Sequence, residues 1–355
     1  MGVFEAADFD HHETVAHFED KASGLKAIIA IHSTALGPAC GGTRMYPYVS
    51  SDAALTDVLR LSRGMSYKSA MAGLPLGGGK AVIMGHPDRD KTDAKLLAYA
   101  EAVNALGGRY ITAMDVGIGP KDLPVIARGT KHAAGYDQPG KPGGDSGPMT
   151  TLGTYLGLKA GVKHRLGTDT VKGLTVAVQG LGKVGMGLVR RLSEDGAKLI
   201  VADVNAEAVK LAEDRFGART MSPEAIVISE CDVLSPNALG AILNGDTIPN
   251  LKAKVVAGAA NNQLARDEHG AMLKEHGVLY APDYVINAGG IICVAGQIFD
   301  WSNAEIERRT RAIAETLAAI FRRADSEGRT TNAIADRMAE ERMAKGKGVG
   351  SVAAE

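Results

Sequence analysis

A glycine-rich turn between a predicted strand and a predicted helix constrains the fold of this 355-residue chain more than any other feature. Gly180, Gly182 and Gly185 directly follow the apolar run 175–179 and open a helical pattern at 186–196. In a βαβ unit the first glycine permits a tight turn, the second lets a pyrophosphate approach the backbone, and the third lets the helix pack on the strand. The free N–H groups at the helix start then bind phosphate. A glycine-rich turn alone is also compatible with a purely structural role, but the flanking strand and helix favour a dinucleotide site.

An acidic residue stands where such a site needs one. The apolar segment 198–203 ends in Asp203, about 20 residues after Gly182. Its carboxylate can accept hydrogen bonds from the adenosine ribose hydroxyls and would repel a 2′-phosphate. We therefore predict NAD rather than NADP, bound by Gly180, Gly182, Gly185 and Asp203 together with Lys183 and Val184 of the same turn.

Further apolar runs continue the pattern in the second half of the chain. They lie at 231–235, 254–258 and 278–282, at spacings that suit crossover connections. Strands that alternate with helices in this way predict a doubly wound, mostly parallel sheet.

The domain boundary is predicted where glycine and proline are concentrated, at 141–151. The expected fold is α/β with two domains and a cleft between them: an N-terminal α/β catalytic domain at 1–148 and a Rossmann-type NAD-binding domain at 149–330. A C-terminal helix at 331–355 is expected to join the first domain.

Composition excludes several functional classes. The 40 basic and 41 acidic residues give a formal net charge of −1, so nucleic acid and anionic membranes are not expected partners. Cys40, Cys231 and Cys293 have neither disulfide nor zinc spacing, which favours a reducing cytoplasm. We expect no secretory signal, no membrane-spanning helix and, because HExxH is absent, no metal.

Three charged residues in apolar or glycine-rich settings are candidates for the chemistry. Lys68 flanks the apolar face of a predicted helix, Lys80 follows three glycines, and Asp115 ends the apolar segment 111–114. A lysine can neutralise a substrate carboxylate, and a second lysine desolvated near that charge can become a general base. Equally ordinary roles remain open, since a flanking lysine can extend to water and an aspartate can cap a turn.

Two other motifs do not fit their usual functions. The segment GGGK at 77–80 lacks the first glycine of a phosphate-binding loop, because Leu74 stands there, and Ala81 replaces the hydroxyl residue. The segment GDSGP at 144–148 is similar to a serine-protease nucleophile segment, but the chain lacks an all-β pattern.

Six ordered blocks together resemble the glutamate/leucine/phenylalanine/valine dehydrogenase family, and within it most closely the leucine dehydrogenases. They are GPACGGTRMY (37–46), RGMSYKSAMAGLPLGGGKAVI (63–83), ITAMDVG (111–117), VQGLGKVG (178–185), VVAGAANNQL (255–264) and YAPDYVINAGG (280–290). The resemblance covers nearly the whole chain. It implies reversible oxidative deamination, in which an L-amino acid, NAD and water give a 2-oxo acid, ammonium and NADH.

The resemblance also implies roles for particular residues. Gly41, Gly42, Lys68 and Asn262 are similar to the α-carboxylate site of the family. Lys80 is similar to the base that activates water against the imino intermediate, and Asp115 to the acid that exchanges protons with the amino group.

Further residues are similar to family positions that contact the nicotinamide half of the cofactor. Asn261 and Asn287 match positions near the nicotinamide ribose and carboxamide, and Thr150 matches a nicotinamide contact. The chemistry is expected in a cleft whose closure excludes water.

Specificity follows from the implied side-chain pocket of Cys40, Ala113, Ile291 and Val294. Glutamate-specific relatives hold the side-chain carboxylate with a lysine near the position of Cys40, and a thiol cannot do so. Phenylalanine-specific relatives have smaller residues at the positions of Ala113 and Ile291. The resemblance therefore implies leucine, valine or isoleucine, although Cys40 and Met114 depart from the leucine-type pattern.

Two alternatives remain at this point. One is a phenylalanine or broad-range amino-acid dehydrogenase, and the other is a catalytically silent NAD-binding regulatory protein. The resemblance implies a homo-oligomer of unspecified size acting on small molecules.

Overall fold

A computed structural model describes residues 2–141 and 144–346, which form two compact units. The first unit takes the described parts of 1–145, 293–302 and 339–355, and the second takes 146–292 and 303–338. The elements up to residue 145 are β1 (Thr14–Asp20), β2 (Leu25–Ser33), β3 (Ala39–Tyr46), α1 (Ser51–Met71), β4 (Gly77–Met84), α2 (Asp93–Asn104), β5 (Tyr110–Met114) and α3 (Leu123–Gly129).

The sheet of the first unit has the strand order β1-β2-β4-β3-β5. β2 pairs antiparallel with β1 and β4, whereas β3 runs parallel to β4 and β5. Because side chains alternate along a strand, one face packs Ile29, Ala81 and Ile83 into the main core of this unit. The other face packs Ile28 and Val82 against α1, whose start is capped by the Ser50 hydroxyl.

Glycines in β4 let α1 lie unusually close to the sheet. A Cβ on Gly78 would stand 2.0 Å from the Ser66 backbone nitrogen, and one on Gly77 would stand 2.0 Å from the Ser33 carbonyl oxygen. A Cβ on Gly79, on the opposite face, would meet the Tyr110 ring at 2.7 Å. The three glycines therefore belong to a packed strand, consistent with the rejection of a phosphate loop at this position.

The elements from residue 147 onward are α4 (Gly147–Leu166), β6 (Thr175–Gln179), α5 (Lys183–Glu194), β7 (Lys198–Ala202), α6 (Ala206–Phe216), β8 (Arg219–Thr220), β9 (Val233–Pro236), β10 (Val255–Val256), α7 (His269–Glu275), β11 (Leu279–Tyr280), α8 (Asp283–Ile286), α9 (Gly289–Ile298), α10 (Asn303–Glu327) and α11 (Thr331–Gly346). The second unit contains a parallel sheet of order β11-β10-β9-β6-β7-β8. Its chain order switches direction between β6 and β9, as in doubly wound nucleotide-binding folds.

The predicted α/β class with a doubly wound sheet is confirmed. The C-terminal prediction at 331–355 is described only as far as Gly346, as α11, and its remainder lies outside the described residues. Within the described chain, helices long and apolar enough to cross a membrane are absent.

A buried histidine pair lies between β2 and α1. The His12 and His32 rings are 4.9 Å apart, and each is only 8% exposed. His32 Nδ1 contacts the Ser66 hydroxyl at 2.8 Å, and Nε2 is 3.5 Å from the Asp10 carboxylate. Burial and the neighbouring His12 lower the pKa of His32 to about 4, although Asp10 acts in the opposite direction.

This pair predicts a loss of stability in mild acid. In the unfolded chain a histidine has a pKa of about 6.5. Between that pH and about 4 the unfolded state binds more protons at His32, so folding is weakened as the pH falls through this window. Between pH 7 and pH 5 the free energy of unfolding should fall in the wild type. We expect this fall to be about 2 kcal/mol smaller in His32→Asn, when both proteins are measured by urea denaturation at the same protein concentration. His17→Asn, on the exposed face of β1, should keep the wild-type dependence, and an identical dependence in His32→Asn would contradict the prediction.

Candidate active site

Lys80 and Asp115 form the centre of the site in the first unit. Lys80 lies within β4 and is 7% exposed, and Asp115 directly follows β5. The Lys80 Nζ atom is 2.5 Å from Asp115 Oδ2. The structure thus brings together the base and the acid that the resemblance implies.

Burial controls the protonation of this pair. It lowers the pKa of the Lys80 ammonium, and the attraction of Asp115 offsets only part of the effect. Burial acts to raise the pKa of Asp115, but Lys80 and Arg44 together hold that pKa below its ordinary value. A neutral amine beside an ionised carboxylate is therefore more accessible here than in water.

Sequence reasoning missed a second cation at Asp115. Arg44 lies on β3, and its Nε atom is 3.3 Å from Asp115 Oδ2. Its Nη1 atom donates to both carboxylate oxygens of Asp57 on α1, at 3.2 and 3.0 Å. The Tyr48 hydroxyl donates to Asp57 at 2.5 Å. The signal in the sequence was a charged residue inside a strand, within the same block as Gly41 and Gly42.

Three of the residues implied for carboxylate binding, Lys68, Gly41 and Gly42, lie on α1 and β3. Lys68 is half-buried on α1, two residues after the Ser66 contact with Gly78. A Cβ on Gly41 would stand 1.8 Å from the Gly79 carbonyl oxygen. One on Gly42 would stand 2.2 Å from the Met114 carbonyl oxygen and 2.9 Å from Asp115 Cβ. The absence of a side chain at both glycines thus lets the β3 backbone pass close to β4 and to Asp115.

An apolar wall lies beside the same strands. A Cβ built on Gly135 would be 3.1 Å from Val294 Cγ2 and 3.7 Å from Ala113 Cβ, so these two predicted pocket residues border one backbone position. Cys40 is fully buried on β3, and burial raises the pKa of its thiol to about 12. The three side chains are therefore uncharged.

A buried amide fixes this wall. Gln297 on α9 is 3% exposed. Its Oε1 atom accepts from the Gly135 backbone nitrogen at 2.5 Å, and its Nε2 atom donates to the Tyr136 carbonyl at 2.7 Å. Sequence reasoning did not identify Gln297, because an amide on an apolar helix carries no recognisable motif.

Two further residues predicted to bind substrate belong to the second unit. Ile291 is 8% exposed near the start of α9. Asn262 is exposed and adopts a positive φ of 53°, a conformation that asparagine tolerates better than most residues.

The glycine turn has the geometry that a dinucleotide needs. Gly180 follows β6 with a φ of +92°, and a Cβ on Gly185 would lie 1.9 Å from the Gly180 carbonyl oxygen. Gly182 is the N-cap of α5 without a side-chain cap, and the space at its missing Cβ is open. Lys183 and Val184 are the first residues of that helix. A helix start that has no side-chain cap and faces open space at Gly182 fits a phosphate.

Asp203 follows β7, the strand next to β6. Its Oδ2 atom accepts from the Leu181 backbone nitrogen at 2.5 Å, and Oδ1 accepts from Asn205 at 2.8 Å. Each oxygen retains a lone pair for a ribose hydroxyl.

Residues predicted for the nicotinamide half also come together in the second unit. Asn287 donates to Asn261 Oδ1 at 2.7 Å and to the Ala259 carbonyl at 3.1 Å, while its own Oδ1 atom is buried without a partner. A Cβ on Gly289 would stand 2.5 Å from the Thr150 backbone nitrogen. An orphaned buried acceptor fits the amide donor of a nicotinamide carboxamide.

In the described part of the chain, clusters of three or more His, Cys, Asp or Glu side chains that could hold a metal ion are absent.

Family models match both parts of the chain. Residues 11–132 match the Glu/Leu/Phe/Val dehydrogenase dimerisation domain, and residues 201–347 match the Glutamate/Leucine/Phenylalanine/Valine dehydrogenase model.

Curated relatives extend over nearly the full length. A leucine dehydrogenase of Bacillus cereus is 48% identical, with 97% of this chain and 94% of the relative covered. A valine dehydrogenase of Streptomyces coelicolor is 46% identical, with 96% and 94% covered. An L-tryptophan dehydrogenase of Nostoc punctiforme is 47% identical, with 98% of both chains covered. A crystal structure of L-tryptophan dehydrogenase from the same organism has a TM-score of 0.85 and 46% identity, with 95% and 96% covered.

These similarities confirm the family resemblance and set aside the alternative of a catalytically silent binding protein. The relatives are named for different amino acids, namely leucine, valine and tryptophan, so their names do not determine the substrate of this chain. The chain belongs to the glutamate/leucine/phenylalanine/valine dehydrogenase family, whose members use a nicotinamide cofactor, and it is an amino-acid dehydrogenase.

Proposed function

We propose that the protein catalyses the reversible, NAD-dependent oxidative deamination of branched-chain L-amino acids. The observation that carries the substrate class is that Cys40, Ala113 and Val294 are all uncharged: Ala113 and Val294 border Gly135, and Cys40 lies on β3 between the strands that carry Lys80 and Ala113. A side-chain carboxylate would be buried there without a partner, which disfavours glutamate. The relative named leucine dehydrogenase, at 48% identity, supports the same class.

The proposed chemistry assigns a separate task to each charged group. A bound nicotinamide supplies the hydride acceptor for deamination. Lys68 neutralises the substrate α-carboxylate. Neutral Lys80 takes a proton from water as the water oxygen bonds to the imino carbon. The ionised Asp115 then accepts this proton from the Lys80 ammonium and passes it to the substrate nitrogen. Lys80 takes the proton of the carbinolamine hydroxyl as the C–N bond breaks, and ammonia and a 2-oxo acid are released.

The match of residues 11–132 to a model described as a dimerisation domain supports a homo-oligomer, which we propose without specifying its size.

A substrate panel tests the amino-acid class. With NAD and absorbance of NADH as the readout, we expect kcat/KM for leucine, valine and isoleucine to exceed that for phenylalanine and tryptophan by at least about tenfold. Glutamate should react more slowly still. Ala113→Gly removes a methyl group from the wall and so enlarges the pocket. It should raise the ratio of kcat/KM for phenylalanine to kcat/KM for leucine by roughly tenfold. A wild-type preference for phenylalanine or tryptophan would overturn the branched-chain assignment and favour an aromatic or broad-range enzyme.

The roles of the charged residues predict different kinetic losses. Lys80→Ala and Asp115→Asn should lower kcat by roughly 10²- to 10⁴-fold, because each removes a proton-transfer group. NADH binding, followed by fluorescence titration, should be retained in both. Lys68→Ala should instead raise KM for the amino acid more than it lowers kcat. An unchanged kcat in either of the first two variants would show that its role is misassigned.

Asp203 is the basis of the proposed preference for NAD. Asp203→Asn removes the negative charge and keeps an oxygen that can accept from the Leu181 nitrogen. We expect the wild type to favour NAD over NADP by roughly 100-fold in kcat/KM, and the variant to lose at least about tenfold of that ratio. Equal use of both cofactors by the wild type would refute the assignment.

A further inference from the structure

Asp115 interacts with two cations, although its proposed proton exchange requires only Lys80. The sheet register explains the geometry. Arg44 is paired with Val82 across β3 and β4, and Lys80 lies two residues before Val82, so alternation places Arg44 and Lys80 on the face that α1 covers. Asp57 reaches Arg44 from α1.

Four charges therefore meet on one face of the sheet, two positive and two negative. Lys80 Nζ and Arg44 Nε approach the same oxygen of Asp115, at 2.5 and 3.3 Å. Asp57 binds the far side of the guanidinium and is itself held by Tyr48. The side chains of Arg44, Asp57 and Asp115 are each no more than 27% exposed, so their interactions are only partly screened by solvent.

The Arg44 guanidinium contacts two carboxylates through different nitrogens. Its Nη1 atom already pairs with Asp57, so the approach of its Nε atom to Asp115 is a second, separate interaction. Its buried Nε atom makes no hydrogen bond to Asp57 and faces Asp115 Oδ2 at 3.3 Å, the oxygen that Lys80 also approaches. Removal of the Lys80 proton would leave Arg44 as the cation that still faces Asp115.

We propose that Arg44 is a positioning residue that keeps Asp115 ionised and oriented while Lys80 is a neutral base, and that Asp57 sets how much of the guanidinium charge the pair experiences. This inference rests on the proposed roles of Lys80 and Asp115.

Electrostatic directions agree with the geometry. Burial lowers the pKa of Lys80 most, Asp115 raises it, Arg44 lowers it further, and Asp57 raises it. Cys40 also faces Lys80 from β3, but burial raises its thiol pKa to about 12, so it stays uncharged. Loss of the Arg44 charge should therefore raise the pKa of Lys80, and loss of the Asp57 charge should lower it.

The test is the pH dependence of kcat, which reports groups in the enzyme–substrate complex. For deamination by the wild type, kcat should increase with pH as the Lys80 ammonium loses its proton. We call this increase the rising limb of the pH profile, and its position is the pH at which kcat is half its maximum. Arg44→Gln should move this limb upward by roughly one pH unit, and Asp57→Asn should move it downward by roughly half a unit. Arg44→Lys keeps the charge and should restore much of the wild-type profile, while KM for the amino acid changes less than about threefold in all three variants.

Arg109→Gln is the matched control. Arg109 pairs with Glu13 at 3.1 Å and immediately precedes β5, at the end of the strand opposite Asp115, so its loss should leave the limb in place. A limb that does not move in Arg44→Gln, or that moves in the same direction in Asp57→Asn, would overturn the inference whatever the change in kcat. Should Arg44→Gln fail to fold, a limb unmoved in Asp57→Asn would overturn it alone.

The profile is measured with whichever amino acid the wild type deaminates best. Failure of the branched-chain assignment would thus appear in the substrate panel, and failure of Lys80 as base would appear in Lys80→Ala. Failure of the Arg44 inference appears as an unmoved limb in Arg44→Gln, or as a limb that moves in the same direction in Asp57→Asn.

Discussion

The contact between α1 and β4 at Gly78 is the constraint on which the catalytic unit depends. With a side chain at Gly78, the Ser66 backbone could not lie where it does, since a Cβ would stand 2.0 Å from its nitrogen. Lys68 and Lys80 each lie two residues beyond this contact, one on the helix and one on the strand. The close approach therefore packs α1 on the strand that carries Lys80, and the same helix brings Asp57 within reach of Arg44.

Burial then shifts the protonation of the charged residues to which we assign proton transfer. Lys80 is buried beside Asp115, and the two groups are more easily separated into amine and carboxylate than in water because Arg44 remains as a compensating cation. Charges on this face are balanced in pairs, so the site avoids an isolated buried ion. Such balance makes the protonation of Lys80 sensitive to Arg44 and Asp57, to which the proposed reaction assigns no contact with the substrate.

Much of the fold was predictable because local rules and tertiary structure agree. The glycines at 180 and 185 form the tight turn and the close helix packing that the motif predicts, and the apolar runs of the second half form strands of the parallel sheet. The pairing of Lys80 with Asp115 was implied by family blocks, whereas its distance and burial needed the structure. Arg44, Asp57 and Gln297 escaped prediction because their partners are distant in sequence and are set by strand register and helix packing. The substrate-binding roles of Asn262 and Ile291 remain predictions, and so do the predicted domain limits.

The amide of Gln297 has a consequence for how this scaffold diversifies. Its side-chain amide ties α9 to the main-chain atoms of Gly135 and Tyr136, so the support of the apolar wall is independent of the side chains of Ala113 and Val294. Residues such as Ala113 and Val294 can therefore be exchanged for larger or smaller ones while the underlying frame stays in register. Paralogues with different amino-acid preferences can arise from this architecture by few genetic steps, each leaving the proton-handling apparatus untouched.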